Sequence, residues 1–113
     1  MNTKAIDYDL CLEITSSAKI ADEILEMLLK ELPQYQKVIS EAYEARDAKT
    51  IVTQAHKLHG ACCYCGTVKL RDLIRYFENQ ANESPPLLEE AVYQAVMAEM
   101  DRVHQSLIAQ DYK

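Results

Sequence analysis

Glycine is nearly absent from this chain of 113 residues, and its scarcity constrains the fold more than any other sequence feature. Only two glycines and three prolines occur, far below their average usage. Turn-rich β folds depend on both residue types, so the composition favours helices. Apolar residues make up 49% of the chain, enough for one modest core. We therefore predict a soluble, all-α protein with a single domain spanning residues 1–113.

Hydrophobic periodicity predicts five helices, at about 7–15, 18–46, 48–65, 67–82 and 87–109. Pro33 lies inside the second of these, where it removes a backbone hydrogen bond, so we expect a kink there. The clearest loop is the proline-containing NESPP segment, residues 82–86. Long helices joined by short loops predict an antiparallel up-down four-helix bundle with a short additional N-terminal helix.

Polar residues and a glycine mark the expected helix ends. Ser16 and Ser17 offer caps for the second helix, Asp47 for the third and Thr67 for the fourth. Gly66 is expected to end the third helix in the left-handed conformation. The predicted apolar face of the second helix comprises Ile20, Ile24, Met27, Leu28, Tyr35, Val38, Ile39 and Ala42.

The segment 56–66, HKLHGACCYCG, holds both glycines, two of the three histidines and three of the four cysteines. His56 points away from the expected core and shares an exposed face with His59, Gly60 and Cys63. Most exposed helical histidines are only solvated. A neutral imidazole is nevertheless a nucleophile, and a glycine one turn further on would leave its approach clear. The residues placed on the core face are Ile51, Ala55, Leu58, Cys62 and Cys65.

The net charge of −6 argues against nucleic acid as a partner. Residues 54–80 nevertheless sum to +2, which suits an acidic partner site or a bound phosphate, although chance would also produce it. The charged residues of this basic island are Lys57, Lys69, Arg71 and Arg75, set against Asp72 and Glu78.

Residues 55–60, AHKLHG, together with Gly66, Leu70, Leu73 and Glu78, resemble the signature of histidine-containing phosphotransfer (HPt) domains. The opening Ile6-Asp7-Tyr8, the leucines of residues 28–33 and the segment 56–66 are similar in particular to the C-terminal HPt domain of BarA-type hybrid sensor kinases. The resemblance implies a four-helix bundle with an additional N-terminal helix. Two positions depart from the family pattern, since His59 stands where lysine is favoured and Cys63 where a small residue is preferred.

The resemblance implies a phosphorelay carrier in two-component signal transduction. His56 would accept a phosphoryl group from a receiver-domain aspartate and pass it to a second receiver. Gly60 would provide clearance, and Lys57 and His59 would offset the phosphoryl charge. The implied partners are the receiver domain of a hybrid sensor kinase and a response regulator.

Further expectations concern binding residues and cofactors. Cys63, Lys69 and Glu78 are expected to be binding residues around the histidine. The chain is expected to hold no cofactor or metal of its own, because Mg²⁺ would belong to the receiver. It has no P-loop or glycine-rich kinase loop, so no ATP-dependent kinase activity is expected.

Three other hypotheses remain open at this point. His56, His59 and Cys63, with Cys65 nearby, could ligate zinc. Cys62 and Cys65 have the CxxC spacing of redox proteins, although they lie at a helix end in an all-α chain. The chain could also be a helical interaction module without phosphotransfer.

Location and assembly follow from what the sequence does not contain. No signal peptide opens the chain, and no apolar run reaches the roughly 18 residues of a membrane span. We therefore expect a monomer with free thiols in the cytoplasm, without direct membrane insertion, either free or as a domain of a membrane-anchored sensor kinase.

Overall fold

The computed structural model describes residues 4–113, and within them the chain forms five helices. Helices α2 to α5 pack in a ring in which each contacts its sequence neighbours and α2 contacts α5, while α1 packs on α2 and α3. This arrangement confirms the expected all-α bundle with an additional N-terminal helix. The expected domain span of 1–113 includes residues outside the described part and stays a prediction. The helices are α1 (Tyr8–Thr15), α2 (Ala18–Glu44), α3 (Ala48–Cys65), α4 (Val68–Ala81) and α5 (Glu90–Ala109).

Helix α2 runs without interruption through Pro33, whose side chain faces solvent. It ends at Glu44, slightly before the expected residue 46, because Arg46 adopts a left-handed conformation with φ of 56°. The chain then turns back, and the Asp47 N–H donates to the Ala42 carbonyl over 2.8 Å. The expected kink at Pro33 stays a prediction.

Helix α5 begins at Glu90, three residues later than the expected residue 87. The preceding residues are held in place by α4 instead. The Leu87 N–H donates to the Gln80 carbonyl over 2.9 Å, and the Gln80 side-chain amide donates to the Glu89 carboxylate. These bonds keep the segment before Glu90 outside the helix.

Of the four side chains expected to cap helix starts, those of Ser17 and Asp47 do so, whereas Ser16 instead ends α1 in the left-handed conformation. The Ser17 and Asp47 side chains each accept a backbone N–H three residues further on, at 3.2 and 3.1 Å. Thr67 precedes α4 but makes no side-chain capping bond. Its buried hydroxyl instead donates to the Cys62 carbonyl over 3.4 Å, so the prediction of a Thr67 cap was wrong. That bond ties the α3–α4 turn to the end of α3.

The buried face of α3 is the one predicted from periodicity, comprising Ile51, Ala55, Leu58, Cys62 and Cys65. On α2, however, two residues of the predicted apolar face are exposed, Ile20 by 47% and Met27 by 57%. The apolar arc of α2 is wider than the surface that its neighbours cover, and these residues lie at its edge. Among residues 4–113, no helix combines the length and the apolar character needed to cross a membrane.

Gly66 ends α3 in the left-handed conformation, with φ of 72°, as expected. A Cβ at this position would collide with the backbone carbonyl of Asp7. The two segments are joined by a hydrogen bond in which the Asp7 N–H donates to the Gly66 carbonyl over 2.9 Å. Glycine at position 66 therefore allows the N-terminal segment, including the buried Ala5 and Ile6, to pack against the end of α3.

Candidate functional site

His56 projects from the middle of α3 into solvent, and its side chain is 77% exposed. Its Nδ1 lies 3.1 Å from Oε2 of Glu78, a largely buried residue of α4. An ionised carboxylate only accepts hydrogen bonds, so Nδ1 carries the proton in this contact. In the neutral ring Nε2 then keeps its lone pair and is the ring atom available to an incoming group.

Gly60 lies one turn beyond His56 on the same exposed face of α3. A Cβ built at this position would meet no other heavy atom within 4 Å. Packing among the described residues therefore does not require glycine here. Because Gly60 has no side chain, the space beside His56 on this face of α3 is open.

His59 and Cys63 occupy the same side of α3 and are both partly buried. The Cys63 sulfur lies 3.9 Å from Nδ1 of His59, within reach of a weak hydrogen bond. Lys57 is exposed on the opposite flank of His56. The predicted cluster of His56, His59 and Cys63 around Gly60 thus forms one surface.

The predicted binding residue Lys69 lies elsewhere. It precedes Glu78 by nine residues on α4, a displacement of about 13 Å along the helix axis. Its ammonium group approaches to 3.9 Å of Glu99, a buried carboxylate on α5 that also pairs with Arg102 at 2.8 Å. Lys69 is therefore turned towards α5, and its role in binding stays a prediction.

The cysteines do not form a reactive cluster. Burial raises the pKa of both Cys62 and Cys65 to about 12, so both thiols stay protonated at neutral pH and act as small apolar side chains. All four cysteines are free. Within residues 4–113, no three or more His, Cys, Asp or Glu side chains converge closely enough to hold a metal ion.

A shallow apolar groove lies between α2 and α3, beyond Gly60. We call it the α2–α3 groove and define it by Ile24, Met27, Ala61 and Tyr64. Met27 and Tyr64 are 57% and 59% exposed, which is high for side chains of this kind. Sequence reasoning missed the groove because it placed Met27 in the core. The available signal was Tyr64, which follows Gly60 by one turn on the exposed face.

A family model described as the Hpt domain matches residues 23–106. The chain belongs to this family. The Hpt domain of a sensor hybrid histidine kinase from Shewanella, known from a crystal structure, is 30% identical to this one. The two superpose with a TM-score of 0.88 over 94% of this chain and 92% of the other.

Two curated relatives of this Hpt domain are sensor kinases. The signal transduction histidine-protein kinase BarA of Escherichia coli K12 is 29% identical over 106 residues, or 87% of this chain. The sensor protein GacS of Pseudomonas syringae is 33% identical over 75 residues, or 66% of the chain. The chain spans only 11% and 8% of the length of these relatives.

These comparisons confirm the family resemblance and the function predicted with it, a phosphorelay domain of two-component signalling. The matched region, residues 23–106, includes both His56 and Glu78.

Proposed function

We propose that this Hpt domain carries a phosphoryl group on Nε2 of His56. The observation that supports this choice is the 3.1 Å contact of His56 Nδ1 with Glu78 on a side chain that is 77% exposed, because in the neutral ring a proton on Nδ1 leaves the Nε2 lone pair free. The other two histidines are less suited. His59 is partly buried beside Cys63, and His104 is partly buried on α5.

The transfer step is a substitution at phosphorus. The Nε2 lone pair attacks the phosphorus of a receiver's aspartyl phosphate, the N–P bond forms, and the P–O bond to the aspartate breaks. The aspartate leaves as a carboxylate with the bonding electron pair. The phosphorylated ring is a cation that keeps its Nδ1 proton, and the Glu78 carboxylate stabilises that charge. Donation to a second receiver is the same step in reverse.

The remaining predicted residues serve access and charge. Gly60 leaves room for the receiver's active-site loops to reach His56. Lys57 and, when protonated, His59 offset the charge of the transferring group. The receiver supplies Mg²⁺ and the rest of the electrostatic stabilisation, so this domain contributes mainly positioning.

The partners are a receiver domain of a hybrid sensor kinase and the receiver of a response regulator. Each would bury the α2–α3 groove, whose lining, among the described residues, is mostly apolar with Glu31 as its one charged residue, and an apolar patch of this kind suits the centre of a protein interface. We further propose that the domain acts as a monomer in the cytoplasm, because one exposed histidine and one groove are sufficient for this chemistry.

Labelling by a phosphorylated receiver domain tests the proposal. A panel of purified receivers carrying radioactive phosphate would be mixed with the wild-type domain and with His56→Gln, His59→Gln and His104→Gln. We expect an acid-labile, base-stable label on every protein except His56→Gln.

Labelling of His56→Gln at the wild-type rate would contradict the assignment of His56, and an acid-stable label would indicate a hydroxyl acceptor. Receivers that bind without ever labelling the domain would support the interaction-module hypothesis instead.

A further inference from the structure

A second imidazole lies one turn from the proposed acceptor. Residues three apart on a helix have Cβ atoms about 5–6 Å from each other, which is the relation of His56 to His59. Helical side chains generally lean towards the preceding turn, which for His59 is the turn that carries His56. Histidine is the side chain that ordinarily changes its charge between pH 5 and pH 8.

The contacts of His59 determine which of its nitrogens is available. Its Nδ1 lies 3.9 Å from the Cys63 sulfur and is therefore engaged on the C-terminal side. The other ring nitrogen, Nε2, takes no part in that contact. Because Gly60 places no side chain over this face, a phosphoryl group on His56 and the Nε2–H of His59 would share the same open space.

From this arrangement we propose that phosphorylation of His56 is linked to proton uptake by His59. The inference rests on the proposed role of His56. The phosphoryl group carries a charge of about −1.5 to −2, which the cationic His56 ring offsets only in part, so net negative charge appears beside an imidazole that can itself become a cation, and the attraction favours its protonated form. By reciprocity, protonation of His59 then stabilises the phosphorylated domain.

The charged side chains near His59 do not by themselves link its protonation to the phosphorylation of His56. Helix α4, which packs along the His59 flank of α3, carries Glu78 against His56, with Arg75 and Arg71 one and two turns back. On α3 itself the nearby charge is Lys57. These groups are present whether or not His56 is phosphorylated, so they contribute to the potential at His59 in both states. Helix α2, on the opposite flank, contributes Lys30 and Glu31 beside Lys57.

The expected size follows from Coulomb's law at an exposed site. We expect the midpoint of the His59 titration to move to higher pH by about half a unit to one unit on phosphorylation. A shift of one unit corresponds to about a tenfold change in the phosphorylation equilibrium across the titration. High salt should reduce the shift, because His56 is exposed and His59 is only partly buried.

Nuclear magnetic resonance of the whole chain tests the proposal. The domain would be phosphorylated with phosphoramidate, and mass spectrometry would locate the phosphoryl group. The imidazole Cε1–H signals would then be titrated with and without phosphorylation, with His59→Gln used to assign the His59 signal. His104 is an internal control, because α5 packs on α2 and α4 but not on α3 among the described residues.

We expect the His59 midpoint to rise and that of His104 to stay constant. Phosphorylation of His56 without a shift of His59, or with an equal shift of both histidines, would overturn the proposed linkage and leave the acceptor role intact. Failure to modify His56, or modification of His59 in its place, would overturn both proposals.

Discussion

At the scale of single residues, one hydrogen bond between two helices separates His56 from an ordinary surface histidine. Glu78 accepts the hydrogen bond from Nδ1 of His56. Its side chain is largely buried on α4, which restrains the position of the carboxylate. If His56 is the phosphoryl acceptor, as proposed, the bond would both orient the ring and leave Nε2 as the nitrogen that reacts. This role predicts that Glu78 contributes to rate without contributing much to folding.

We expect Glu78→Ala to slow phosphoryl transfer between about tenfold and 100-fold, because a loosely held nucleophile spends less time in the reactive geometry. Glu78→Gln should lose less, since its amide oxygen can still accept from Nδ1. Transfer from a phosphorylated receiver under single-turnover conditions measures both.

The matched control is Asp72→Ala, which removes an exposed carboxylate from the same helix. Equal transfer rates for Glu78→Ala and Asp72→Ala would show that Glu78 has no specific role in phosphoryl transfer. Circular dichroism would establish that all variants remain helical.

Substitutions at Gly60 can separate an effect on the stability of the fold from an effect on access to His56. Gly60→Ala should raise the free energy of unfolding by about 0.8–1 kcal/mol, because alanine favours helices and its Cβ meets nothing. Gly60→Leu should fold as well but transfer more slowly, since its side chain would occupy the space beside His56. Urea denaturation and transfer rates would be measured on the same samples. A Gly60→Leu domain as fast as wild type would show that clearance is not the reason for the glycine.

At the scale of helices, Gly66 contrasts with Gly60 because its backbone conformation and its close neighbour both require glycine. Gly66→Ala should lower the free energy of unfolding by at least about 1–2 kcal/mol, since the left-handed conformation costs that much before the collision with Asp7 is counted. Denaturation by urea measures the loss. Stability equal to wild type would mean that the N-terminal segment can move aside at no cost.

Much of the helical architecture was predictable because a 3.6-residue period and a few capping residues act locally. The α3 core face, the Asp47 cap and the left-handed Gly66 are of this kind. The start of α5 was not, since it depends on Gln80 of another helix. Periodicity gave the direction of His56 but not its bond to Glu78, which joins residues 22 positions apart.

The α2–α3 groove was also beyond sequence reasoning, for a different physical reason. Periodicity identifies an apolar arc on α2, but the width of the arc that is covered depends on how the neighbouring helices pack. Met27 lies at the edge of that arc and remains exposed.

At the scale of the whole molecule, the domain offers similar exposed tyrosines on two different faces. Tyr64 is 59% exposed in the α2–α3 groove, whereas Tyr76 is 54% exposed on the outer side of α4. If receivers bury the groove, Tyr64→Ala should raise the concentration of receiver needed for half-maximal transfer by about tenfold, within the range of interface residues. Tyr76→Ala should leave it unchanged.

The measurement is the dependence of transfer rate on receiver concentration, with thermal unfolding as the check on folding. Equal effects of the two tyrosine substitutions would place the docking surface elsewhere.

The exposure of His56 also bears on how long a signal could be stored. With 77% of its side chain open to solvent, His56 is not covered by any part of residues 4–113 that would keep water from a phosphoryl group attached to it. The lifetime of the stored group would therefore depend on the chemistry of the N–P bond and on the local charges rather than on shielding by the fold. A phosphoryl group carried in this way would be accessible to partner domains but unprotected from water. The signal would reach the next partner only if transfer is faster than hydrolysis of the N–P bond.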